Sequence, residues 1–120
     1  MSKPDDALLV ITTTETPDDG KRLAQKLVEQ ELAACVQIVP QICSIYRWQG
    51  QIEQSGETLL LIKTTQANFD ELVTAIQSLH SYQTPEIMAL PVTHASADYL
   101  AWLRQSVKSF PQPSPFDTSD

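Results

Sequence analysis

Glycine, cysteine, histidine and basic side chains are all scarce in this 120-residue chain, and each scarcity removes a class of function. The only glycines are Gly20, Gly50 and Gly56, so neither a GxGxxG turn nor a Walker loop can be assembled to cradle phosphate. Two histidines, His80 and His94, lie apart in sequence and form no HExxH or i, i+4 pair, which leaves no strong zinc motif. No nucleophile elbow occurs. Lys plus Arg number 8 against 15 Asp plus Glu, a formal charge of -7, so phosphate backbones and anionic membranes repel the chain on average. Nucleic acid is not an expected partner. The longest apolar runs, "ALLVI" and "LLLI", are far too short to span a bilayer, and "MSKPDDALLV" has neither a sustained apolar core nor a small-residue cleavage site. The expectation is a cytoplasmic protein with no membrane partner.

Cys35 and Cys43 are the only cysteines. On one extended strand they would stand about 26 Å apart at roughly 3.3 Å per residue, too far for a disulfide or a shared tetrahedral metal within one subunit. Both read as small, half-buried core residues.

What is present is a hydrophobic fraction of 42%, enough for one domain over residues 1–109, and a clear alternation of element types. "ALLVITTT" (7–14) is rich in β-formers. A helix start follows, with Thr16 as N-cap, Pro17 at the first helical position and Asp18 and Asp19 at the positive end of the dipole. Leu23, Leu27, Val28 and Leu32, with Ala24 and Ala34, give that helix one apolar face. Next, "IVPQICSIYRWQG" (38–50) reads as an unusually long strand with a proline set into it. The alternation Val36, Ile38, Pro40, Ile42, Ser44, Tyr46, Trp48 predicts one largely apolar face. Gln49, Gly50 and Gln51 predict a turn, and 52–65 returns as the second hairpin arm with a bulge or bend at Ser55–Gly56. Pro40 cannot donate to a ladder, so it marks a bulge or edge. Thr65 is a candidate cap for a second helix with the stripe Phe69, Leu72, Val73, Ile76 and Leu79. A strand over 86–93, which Pro91 ends or marks as an edge, and a last helix capped by Ser96 with Leu100, Leu103 and Val107, joined by Tyr99 and Trp102, complete the order. The tail over 110–120 is Pro-rich and polar, the composition of a disordered segment.

The order β-α-β-β-α-β-α predicts an α+β, ferredoxin-like split βαβ fold with a long projecting β-hairpin and a C-terminal helix. Strands of 13 or more residues exceed the usual 5 or 6. Their unpaired backbone and apolar side chains call for closed oligomerisation.

The turn "HSYQTPE", His80 to Glu86, is the most polar-rich connection, and His80, Tyr82 and Glu86 can converge there on a ligand. Lys63, inside the apolar run "LLLIKTT", needs an acidic partner or a route to solvent, with Glu86 and Glu53 as candidates. Tyr46 and Trp48 on the projecting arm read as pocket-lining or subunit contacts.

Taken together and in this order, "LAACVQIVPQICSIYRWQGQIE", "ETLLLIKT", "HSYQTPEIMALPVT" and "YLAWL" resemble the CutA divalent-cation tolerance family over residues 8–104. The resemblance implies a homotrimer of ferredoxin-like subunits, a role in tolerance or response to metal ions, copper binding in some members, and no established catalytic reaction. Members with a proposed copper site carry a cysteine near the end of the first strand and two histidines before the turn. Here those places hold Thr12, Leu79 and His80, and Ser81 stands where proline is usual. His80 is therefore the one metal-ligand candidate, with weak binding of copper or another divalent cation as the implied chemistry. The interface pocket expected around it takes in Lys63, Tyr82, Glu86, Tyr46 and Trp48. Two other readings compete: a trimeric small-molecule sensor similar to the PII signalling proteins, and an enzyme using Lys63 or His80 as general base.

Overall fold

The computed structural model describes residues 3–109, and the segment 110–120, expected to be disordered, lies outside the described residues. The elements follow the predicted order: β1 (Ala7–Thr14), α1 (Pro17–Glu29), β2 (Cys35–Trp48), β3 (Gln51–Thr65), α2 (Phe69–Leu79), β4 (Met88–Pro91) and α3 (Ala97–Gln105). They build a four-stranded sheet in the order β2-β3-β1-β4, with every neighbouring pair antiparallel.

Local chemistry sets the helix boundaries. The Thr16 side chain accepts from the Asp19 amide at 3.1 Å, Pro17 needs no donor partner, and α1 starts as predicted. Leu23, Ala24 and Leu27 of α1 are buried against Leu8, Val10, Leu60 and Ile62 of the sheet, and Leu72 and Ile76 of α2 join the same core. Val28, counted in the predicted stripe, instead faces outward with 43% exposure. Thr65 does not cap α2 directly, because a 3-10 turn (Gln66–Asn68) intervenes. Its hydroxyl accepts from the buried Asn68 side chain at 2.8 Å. Asn68 also donates to the Lys108 carbonyl at 3.1 Å and so ties the end of the described chain to the start of α2.

Over its Thr58–Thr65 half, β3 pairs with β1 on one side and, up to the bulge, with β2 on the other; from Gln51 to Glu57 it pairs with β2 alone. The hairpin therefore projects, and the molecule measures 56 × 31 × 25 Å. It closes through Gln49 and Gly50, both at positive φ (51° and 80°), a two-residue turn of the twist that antiparallel arms prefer.

The bulge falls at Pro40–Gln41, where the register jumps from Val39↔Leu59 to Ile42↔Glu57 and Gln41 takes φ 62°. The second expected irregularity is absent: Ser55 and Gly56 pair regularly with Ser44 and Cys43. Because two residues of β2 oppose Thr58 alone, the alternation is reset. Val36 and Ile38 stand opposite Ile62 and Leu60, on the face that α1 and α2 cover. Beyond the bulge, Ile42, Tyr46 and Trp48 stand opposite Glu57, Glu53 and Gln51, whose side chains point to the other face. The single apolar face predicted from Val36 to Trp48 is thus two faces joined at Pro40. Cys43, expected to be half-buried, is exposed; Cys35 is half-buried.

The face turned away from α1 and α2 is largely apolar and, among the described residues, largely uncovered. Register places Leu9 beside Leu90, Ile11 beside Met88 and Leu61, and Val39 beside Leu59 on that side. Met88, Leu90 and Val39 are exposed. Among the described residues, α3 and the segment just after it cover part of it, packing Leu103 and Val107 on Ala7 and Ala34.

Burial makes Leu27 and Val28 a matched pair. Leu27→Ala is expected to lower unfolding stability by about 2–5 kcal/mol, whereas Val28→Ala stays within about 0.5 kcal/mol, read from denaturant midpoints under identical conditions.

Candidate functional site

At the end of α2 the chain leaves the helix at His80, whose backbone turns extended (φ -81°, ψ 144°) while its amide still bonds the Ile76 carbonyl. That exit aims the imidazole back at β1. Nε2 lies 2.6 Å from the Thr13 carbonyl oxygen, and Nδ1 accepts from the Tyr82 amide at 3.0 Å. A carbonyl takes only a donor and an amide offers only a proton, so the two partners fix the Nε2–H tautomer. Both ring nitrogens are engaged.

The tight turn also stacks the His80 and Tyr82 rings, with centroids 4.7 Å apart. From there the Tyr82 hydroxyl donates to Glu57 Oε2 at 2.8 Å. Burial pushes the Tyr82 phenol well above its ordinary range; the hydrogen bond and the negative charge of Glu57 add to this, with smaller contributions from Glu15 and Tyr46. Glu57 is the first paired residue beyond the bulge, so this bond fastens the α2–β4 turn to the root of the hairpin.

The predicted residues do not converge within one subunit. His80 and Tyr82 come together, joined by Glu57, which sequence reading missed. Lys63 sits opposite Leu9 and Cys35, six residues along β3 from Glu57, or about 20 Å. Neither Glu53 nor Glu86 serves as its acidic partner: its ammonium stands 5.4 Å from the centroid of the Tyr99 ring, a cation–π placement. Glu53 lies far out on the hairpin opposite Tyr46, and Glu86 is exposed. Ser55 reaches the Tyr46 hydroxyl at 3.4 Å, while Trp48 stands at the hairpin tip with 58% exposure. Thr12 is fully buried, its hydroxyl without a hydrogen-bond partner, and Leu79 is exposed. Among the described residues no three His, Cys, Asp or Glu side chains group closely enough to hold a metal ion. Nor is any helix there long and apolar enough to cross a membrane.

The Tyr82–Glu57 bond has a pH signature. A phenol whose folded pKa exceeds its unfolded value of about 10 contributes its full stability below pH 10 and loses it as pH rises toward the folded pKa. Tyr82→Phe is expected to cost about 1 kcal/mol at pH 7. Denaturant midpoints between pH 8 and 11 should fall more steeply in the wild type than in the variant; parallel curves would mean that the phenol is not held neutral by this contact.

Over residues 8–106 the chain matches the family described as CutA1 divalent ion tolerance protein. It is 45% identical over 98 residues to the divalent-cation tolerance protein CutA of Thermus thermophilus, covering 82% of this chain and 95% of that one. Identity to the chloroplastic protein CutA of Arabidopsis thaliana is 41% over 108 residues, 90% of this chain and 59% of the other. The crystal structure of CutA1 from Oryza sativa superposes with a TM-score of 0.86 at 38% identity, covering 88% and 96% of the two chains. Fold and sequence thus agree, and the chain belongs to the CutA1 divalent ion tolerance family.

Proposed function

We propose that the chain serves divalent-cation tolerance as a non-enzymatic homotrimer of ferredoxin-like subunits. The observation that carries the assembly is the uncovered sheet face: Leu9, Ile11, Leu61, Met88 and Leu90 form an apolar surface continuous with Ile42 and Tyr46 of the projecting hairpin. Both outer strands, β2 and β4, also offer unpaired edges. Left open, such a surface aggregates, and cyclic closure by sister chains covers it while satisfying the edges. The strand order β2-β3-β1-β4, with α1 and α2 on one face, supports the ferredoxin-like assignment. A cytoplasmic location belongs to the same reading, following the expectation drawn from the sequence; the name of the Arabidopsis relative places that protein in the chloroplast.

A single subunit does not fit a copper site. His80 offers one imidazole, its Nδ1 is engaged by the Tyr82 amide, and Thr12 and Leu79 supply no ligand. Cation binding at His80 would have to draw further donors from a neighbouring subunit and displace that amide. The interface is thus the place for any pocket that combines His80, Tyr82 and Glu86 with the separated Lys63, Tyr46 and Trp48. The sensor reading similar to PII proteins finds no support, since the hairpin closes in two residues and carries no long loop.

Sedimentation at micromolar concentration is expected to give about three times the 13.4 kDa chain mass, and Leu61→Glu, which places a charge on the open face, should shift it toward one chain. A wild-type mass near one subunit would overturn the assembly. Calorimetry with Cu(II), Zn(II) and ATP then addresses the ligand. Copper affinity should fall at least tenfold in His80→Ala, with no ATP heat in either protein; equal weak copper heats in both would remove His80 from the site, and tight ATP binding would restore the sensor reading.

A further inference from the structure

We propose that the cleft between α1 and the turn at residues 79–81 binds a small oxyanion, a phosphate or a carboxylate. The cleft has a volume of about 150 Å³, space for about five waters at about 30 Å³ each. Asp19, Arg22, Leu23 and Lys26 all line it. Their spacing of i, i+3, i+4 and i+7 places them on one stripe of α1, with Arg22 and Lys26 as neighbours one turn apart.

Charge sets this cleft against the overall balance of the chain. The chain has a formal charge of -7 and only 8 basic residues, yet two of them converge here. Asp19 pairs with Arg22, whereas Lys26 has no carboxylate within ion-pair reach among the described residues. Among the charged residues that line the cleft, the two cations outnumber the single carboxylate, Asp19. Leu23 and Leu79 supply apolar walls.

The donors suit an oxyanion and not a cation. Lys26 brings an ammonium, Arg22 keeps guanidinium N–H groups beyond those used on Asp19, and Ser81 adds a hydroxyl. His80 also lines the cleft but only as a wall, because both of its ring nitrogens are already engaged. The oxyanion donors of the cleft, Arg22, Lys26 and Ser81, are thus distinct from the His80 ring nitrogens that a cation would need.

The test is a titration of the metal-free wild-type protein, followed by amide NMR, with sodium phosphate or sodium citrate at ionic strength held constant with sodium chloride. Saturable shifts at Lys26 and Ser81 are expected with at least one oxyanion. Citrate binding more tightly identifies a carboxylate ligand; phosphate binding more tightly identifies a phosphate. Lys26→Met should weaken binding at least tenfold, and Arg22→Gln should also weaken it. Lys21→Met, which removes an exposed cation that does not line the cleft, should bind like the wild type. Shifts that chloride reproduces, or equal losses in Lys26→Met and Lys21→Met, would overturn the site and leave only general attraction to α1.

Discussion

The two-residue bulge at Pro40–Gln41 is the constraint on which the rest of the molecule depends. A β-strand presents one set of side chains to each face, so a 14-residue strand of regular pairing would commit its apolar residues to a single side. Proline cannot give the ladder its missing proton, and Gln41 at φ 62° absorbs the extra residue. The consequence is a division of labour within one strand. Its first part closes the core beneath α1 and α2 through Val36 and Ile38, while its second part carries Ile42, Tyr46 and Trp48 onto the opposite side.

That reversal also explains where the polar contacts gather. Glu57 pairs with Ile42 immediately after the bulge and points to the face opposite the two long helices. Tyr82 reaches it around the end of β1, from a turn that His80 holds through the Thr13 carbonyl and the Tyr82 amide. Three strands and the end of α2 therefore meet within a few residues. Lys63 belongs to a different environment near α3, where the Tyr99 ring provides the partner that no carboxylate among the described residues does.

Much of the fold was legible in the sequence because local physics decides it. Thr16-Pro17-Asp18-Asp19 combines cap, first-turn proline and dipole-matched charge, and all three signals agree with the helix found. Gln49–Gly50 closed the hairpin as expected, and Pro40 marked its bulge. The misses concern side-chain direction. Alternation counted through Pro40 ignored the reset that the bulge itself imposes, so Tyr46 and Trp48 were assigned to the face of Val36. The candidate site was legible only at the turn, where His80 and Tyr82 are two residues apart. Glu57 escaped notice because its relation to Tyr82 is set by register across 25 residues, and Lys63 was given acidic partners although its neighbour is an aromatic ring from the last helix. Family resemblance succeeded where pairwise proximity failed, since it reads the order of many weak signals at once.

The contact between Tyr82 and Glu57 carries a thermodynamic obligation. It joins an element anchored in the core to one that extends beyond it, so the two equilibria are linked. Any group that occupies the Glu57 carboxylate at the hairpin's root competes with the phenol and loosens the turn around His80. Reciprocity then requires that whatever disturbs the turn changes, by the same factor, the hairpin's affinity for that group.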